Sequence, residues 1–289
     1  MNQELVCWLK NEIKKRYGNV KRARGIYLYT EKSVRLTDCF LDGGRGILGH
    51  GGGKAKTAFK DCFERGANGF YDSGLLPAFE KSVKKLLPAE YTEIRLYSEK
   101  TAAMLGGTSV SLDGASKKAN PVLWRPWLDF AGKITEQQTG YPKIQVVYNT
   151  NEVFPAVVKI LPPFTYATDI CVYAFSEKSY KNLAELPQND VVPSPLLAAY
   201  TRSFYDLLNS LSLFAEKDFK ANSKALEPFF TRNQCYLFPK ISEEKYKDFV
   251  LKCLDAGIVI SPDYNEPSIM PWRANPGDIK KISKITLEG

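Results

Sequence analysis

Gly25-Ile-Tyr-Leu-Tyr29, Ser33-Val-Arg-Leu-Thr-Asp38 and Ile47-Leu-Gly-His50 follow one another near the start of the chain. The first two alternate about a short polar turn, the pattern of a β-hairpin. The third lies in a glycine run, Gly43-Gly-Arg-Gly-Ile-Leu-Gly-His-Gly-Gly-Gly-Lys54. A P-loop requires Gly-x4-Gly-Lys-Ser/Thr, but Leu48 stands where the first Gly belongs and Ala55 follows the Lys. The phosphate-cradle motif therefore fails twice, leaving a flexible turn or an active-site loop that leads into a helix. Working outward, Lys54 to Glu64 and Leu75 to Leu87 have helical spacing, the second with Pro77 near its start. Upstream, Leu5, Trp8, Leu9 and Ile13 recur at helical spacing after Asn2, a side chain suited to cap a helix.

Beyond residue 92 the pattern changes. Short apolar strands are expected at Glu93–Tyr97, Ile144–Tyr148, Ala156–Ile160 and Asp169–Phe175, with little room for helices between them. Residues 195–216 carry Leu196, Leu197, Tyr200, Phe204, Leu207, Leu208 and Leu211 on one helical face. Strand Cys235–Phe238, helix Glu243–Leu254, strand Ile258–Ile260 and strand Ser268–Trp272 follow, with a terminal helix opening near Asn275.

Composition narrows the function. The 289 residues suffice for one large or two modest domains, and 44% hydrophobic with 25% charged residues is a globular balance. The net charge of +8 is spread along the chain, with clusters no longer than Lys14-Lys15-Arg16. Lacking a basic tail or a nucleic-acid motif, it reads as a solvated surface, and nucleic acid is not an expected partner. The six cysteines form no Cys-x-x-Cys pair, and Cys171 and Cys253 lie inside apolar runs, as reduced buried thiols do. Glu4, Lys10, Glu12 and Lys14 interrupt any apolar leader, and no apolar run reaches about 18 residues. A cytoplasmic protein without a membrane span is expected. The single histidine, His50, has no partner in sequence, which argues against a Ser-His-Asp triad or a multi-His metal site.

Gly25-Ile-Tyr-Leu-Tyr29, Arg35-Leu-Thr-Asp38 and Ile47-Leu-Gly-His50 resemble, in order and spacing, the N-terminal signature of the class III aminotransferases. Thr30, Ser33 and Gly53 depart from it, standing where that family has Asp, Gly and Pro. The resemblance implies a pyridoxal-phosphate (PLP) dependent transferase of fold type I. It also implies a phosphate-binding turn, whose counterpart is Tyr97-Ser98-Glu99-Lys100-Thr101-Ala102, with Ser98 and Thr101 as the binding side chains. Glu99 brings bulk and negative charge there, and Gly106-Gly107-Thr108-Ser109 is an alternative, as is an ordinary strand-to-helix turn. Asn151, in Asn151-Glu152-Val153, occupies the place of the carboxylate that pairs with the ring nitrogen. Lys178 stands at the matching interval for the Schiff base. Asn151 can hydrogen-bond the ring but cannot supply the charge that keeps it an electron sink. Trp124, in Trp124-Arg125-Pro126-Trp127, is the aromatic available to stack on the ring. Arg273 corresponds to the arginine that forks onto a substrate carboxylate. Between the phosphate turn and Asn151 the chain has about 50 residues, less than half of what the family carries.

The expectation is thus an α/β, PLP-dependent-transferase-like fold with a reduced central sheet domain and a small α+β domain. Residues 1–90 would form the N-terminal part of the small domain, 91–195 the reduced cofactor-type domain, and 196–289 the linking helix with the C-terminal small domain. The implied function is amino-group transfer on an amino or keto acid by a homodimer, weak or lost. The alternative is a degenerate, non-catalytic relative that serves as a binding or partner subunit.

Overall fold

The computed structural model describes residues 2–67, 71, 73–105, 109–112, 115–118, 121–128, 133–137, 143–147, 154–166, 168–178, 180, 183–213, 223–270 and 274–286. In chain order the first elements are α1 (Gln3–Tyr17), β1 (Val20–Arg24), β2 (Tyr27–Thr30), β3 (Arg35–Asp38), α2 (Gly53–Glu64) and α3 (Leu76–Lys84). Then come β4 (Tyr91–Tyr97), α4 (Glu99–Leu105), β5 (Ser109–Leu112), β6 (Ala115–Lys118), β7 (Val122–Leu123), β8 (Lys133–Gln137) and β9 (Lys143–Val147). β10 (Val157–Ile160), β11 (Cys171–Ser176) and α5 (Ser194–Leu213) complete the middle. The C-terminal part holds β12 (Phe230–Asn233), β13 (Tyr236–Pro239), α6 (Glu243–Asp255), β14 (Ile258–Val259) and β15 (Ser268–Ile269). The chain divides into two compact units, Met1–Gly51 with Phe214–Gly289, and Gly52–Leu213.

The first unit joins the two chain ends. α1 starts because the Asn2 side chain accepts from the Glu4 backbone N–H at 3.0 Å, and Glu4 complements the helix dipole. Gly18, at φ 77°, ends it after Lys14, Lys15 and Arg16. The hairpin β2–β3 is extended on one side by β1, antiparallel, and on the other by β14, which pairs parallel with β3. Leu36, Phe249, Cys253, Leu254, Ile258 and Ile282 share one core at 0–1% exposure. Burying such side chains contributes about 1.5–3 kcal/mol each. A second small sheet, β12-β13-β15, is antiparallel throughout.

The second unit is built on a four-stranded sheet ordered β4-β11-β10-β7. β11 pairs antiparallel with both β4 and β10, whereas β10 and β7 are parallel. The mixed pattern has a simple cause. The described residues between Ile160 and Cys171 carry no helix, and so short a link returns the chain antiparallel. β11 is central and buried along its whole length. α5 buries Tyr200, Phe204, Leu207 and Leu211, and Phe79 of α3 meets Phe204 edge-on at 5.9 Å between ring centroids. α2, α3 and α5 fall in the same compact unit, which begins at Gly52. Among the described residues no helix is long and apolar enough to cross a membrane.

Candidate functional site

The turn after β4 is the part of the expected site that the structure shows in most detail. β4 ends at Tyr97 and α4 begins at Glu99, so Ser98 is the junction residue. Its backbone N–H donates to Asp190 Oδ2 at 2.7 Å. The Thr101 hydroxyl donates to Asp190 Oδ1 at 2.9 Å, and the Ser98 hydroxyl donates in turn to Thr101 Oγ1 at 3.2 Å. The Thr101 N–H closes back on Ser98 Oγ at 3.3 Å. Ser98 and Thr101 are thus brought together around a carboxylate of the same chain. The Asp190 carboxyl is held below the usual aspartate range, first because the Ser98 backbone N–H favours its ionised form. Glu99 lies 3.8 Å from Lys159, which partly offsets the charge it adds beside the turn.

Asp190 reaches the turn on a strap that follows the open edge of β4. The Tyr97 hydroxyl donates to the Pro187 carbonyl at 2.6 Å, and burial pushes that phenol up to about 12. The Leu96 N–H donates to Asn189 Oδ1 at 2.7 Å, and the Asp190 N–H to the Leu96 carbonyl at 2.9 Å. Sequence reasoning missed this residue. The available signal was Asn189-Asp190 between Pro187 and Pro193, a stretch barred from helix whose side chains are free to cap a neighbour.

Lys178 stands just past β11, 78% exposed, with Nζ 3.8 Å from Glu90 Oε2. Glu90, 11% exposed, also accepts from the Ser176 hydroxyl at 3.3 Å. A Schiff-base lysine requires a dry pocket or a neighbouring cation to free its amine. Lys178 is exposed and faces a carboxylate. Trp124 follows β7 and is 5% exposed, its backbone N–H donating to the Lys159 carbonyl at 2.8 Å. Its indole N–H has no hydrogen-bond partner among the described residues. Asn151 and Arg273, like Gly106-Gly107-Thr108, lie outside the described residues.

In the first unit the lone histidine has found a partner that the sequence did not reveal. His50 and Gly25 exchange backbone hydrogen bonds, at 2.9 Å and 2.6 Å, which returns the Leu-Gly-His turn to the hairpin. His50 Nε2 then lies 2.8 Å from Asp38 Oδ2, and both side chains are nearly buried. Asp38 Oδ1 accepts the Phe40 and Leu41 backbone N–H groups at 2.9 and 2.8 Å. The resembling motif thus forms one hydrogen-bonded unit of turn, strand and histidine.

No protein-family model matches the chain. A protein of Treponema pallidum, described only as uncharacterized, is 27% identical over a 307-residue alignment spanning 90% of this chain and 91% of the relative. One of Borreliella burgdorferi, described in the same way, is 26% identical across 92% of this chain and 89% of its own length. Among solved structures, an omega-transaminase from Sphaerobacter thermophilus superposes with a TM-score of 0.59 over 96% of each chain at 7% identity. The ornithine delta-aminotransferase of Plasmodium falciparum gives 0.56 over 97% of this chain and 96% of its own, at 12% identity. A transaminase solved with PLP bound gives 0.55 over 98% and 96%, at 10% identity. The chain has an aminotransferase-like α/β fold. At these identities the likeness concerns fold alone.

The described residues do not fit PLP within that fold. The counterpart of the phosphate turn already holds Asp190, and Lys178 is exposed beside a carboxylate.

Proposed function

We propose that this is an aminotransferase-like protein in which PLP-dependent amino-group transfer is weak or lost. The observation that carries this reading is Lys178, 78% exposed and paired with Glu90 at 3.8 Å. On this reading the unit made from both chain ends is the small α+β domain, and Gly52–Leu213 is the reduced cofactor-type domain. The ligand class is an amino or keto acid, with Arg273 receiving its carboxylate, in a cytoplasmic homodimer. Asp190 on the Ser98–Thr101 turn favours a second reading, a non-catalytic relative that works as a binding or partner subunit.

An absorbance titration with PLP and an amino-transfer assay across common donors and acceptors test the proposal together. The expected result is no long-wavelength band that depends on Lys178, and turnover below about 1 per second, under the ordinary enzymatic range. Turnover within the range of about 1–1000 per second that disappears in Lys178→Ala would restore Lys178 to full catalytic duty and overturn the proposal.

A further inference from the structure

We propose that Asp190 is a built-in substitute for the phosphate, so that the Ser98–Thr101 turn is closed to phosphorylated ligands by the chain itself. The inference rests on the reading of this turn as counterpart of the phosphate turn in the aminotransferase frame.

Three observations support it. The Ser98 N–H and the Thr101 hydroxyl, the donors a phosphate would engage, both end on Asp190, at 2.7 and 2.9 Å. The Ser98 hydroxyl donates to Thr101 Oγ1 and accepts the Thr101 backbone N–H. Asp190 is also not a loose side chain that a ligand could push aside. The Asp190 N–H to Leu96 carbonyl bond, the Leu96 N–H to Asn189 bond and the Tyr97 hydroxyl to Pro187 bond fix its strap to β4. Finally, an arriving phosphate would meet the Asp190 carboxylate on the turn, and beside it Glu99, whose charge Lys159 at 3.8 Å offsets only in part. Like charges a few ångströms apart strongly disfavour such binding. The lowered proton affinity of Asp190 agrees with this arrangement, because the turn's N–H stabilises the anion.

The test uses the full-length protein and inorganic phosphate as the probe. Melting temperature is followed against phosphate concentration, with chloride at matched ionic strength as control. The wild type is compared with Asp190→Ala and Asp190→Ser; the serine keeps a hydroxyl on the strap should the alanine fail to fold. The wild type should not respond to phosphate. In chloride the variants should melt lower, and phosphate should restore part of the loss, with an affinity about tenfold or more above wild type. The same variants should prefer pyridoxal phosphate to pyridoxal, a distinction the wild type should not make. Two results overturn the proposal in distinguishable ways. Phosphate stabilisation of the wild type equal to that of the variants means that the turn, or another site, accepts phosphate despite Asp190, and leaves the aminotransferase reading standing. Folded variants indifferent to phosphate mean that the turn is no anion receptor, and the reading of this stretch as a phosphate turn falls as well.

Discussion

Asp42 stands under two constraints at once. Its φ of 53° is left-handed, and its carboxyl is pushed above the ordinary aspartate value, first by burial, with Asp38 adding to the shift and Arg45 and His50 opposing it. A carboxyl raised in the folded state holds its proton more tightly there than when unfolded. Its stabilising effect is therefore complete below the unfolded value of about 3.9, and stability declines as pH rises through the raised value. Asp42→Asn removes the ionisation and suits a left-handed position. It should raise stability at pH 7 by roughly 0.5–1 kcal/mol and flatten the decline above pH about 4. A variant melting below wild type at pH 7 would contradict this. Asp38 behaves differently, because its carboxylate serves the Phe40 and Leu41 N–H groups and His50 together. Asp38→Ala should cost about 2–4 kcal/mol in denaturant unfolding through the donors left buried, and Asp38→Asn distinctly less. This pair was not legible in the sequence. His50 looked isolated because its partner is supplied by the bridge to Gly25, not by its own neighbours in the chain.

At the scale of elements, the entry to α2 depends on Gly52. Its φ is 64°, and a Cβ there would come 2.7 Å from the Phe164 ring. Gly51, at φ 97°, has nothing within 4 Å of that position. Gly51→Ala should therefore cost only the backbone conformation, about 1 kcal/mol, whereas Gly52→Ala adds a clash with a packed aromatic for about 2–3 kcal/mol in all. Equal melting temperatures for the two variants would count against the packing. That the glycine run leads into a helix was legible in the sequence. Its facing residue was not, since Phe164 is more than a hundred positions away. Helix positions were the easiest to read. α5 and α6 lie almost where the periodicity of Leu196 to Leu211 and of Glu243 to Leu254 puts them. The edge strand β1 was missed, because Lys21, Arg22 and Arg24 give it an exposed surface with no apolar alternation. Phe204→Ala in α5, removing the ring that meets Phe79, should cost about 3–5 kcal/mol and broaden the melting of the second unit.

On the scale of the molecule, the joining of chain ends follows from elements that the sequence marks strongly. The hairpin, its Leu-Gly-His turn and the strand–helix–strand of the C-terminal part each carry a clear period. The sheet around β11 was harder to read, because short buried strands without helices between them leave their pairing partners open. The candidate site was legible only in part. Ser98 and Thr101 do come together, yet the carboxylate they hold arrives from a strap without regular structure. The homodimer of the proposed reading predicts a solution mass near twice 32.5 kDa by sedimentation equilibrium. A single-chain mass at micromolar concentration would remove the dimer from the proposal.

The parallel pairing of β14 with β3 places Thr37 and Asp38 beside Ile258 and Val259, about 220 residues later in the chain. At about 5–20 residues per second, synthesis leaves the opening hairpin without that neighbour for roughly 10–45 s. During this interval Leu36 lacks the α6 residues that later cover it. The exposed Lys21, Arg22 and Arg24 on the outer strand give the waiting hairpin charge against pairing with other nascent chains. The hairpin is thus made about 220 residues before the strand that completes its sheet. A ribosome that stops before Ile258 releases a hairpin whose β3 edge has no strand to pair with.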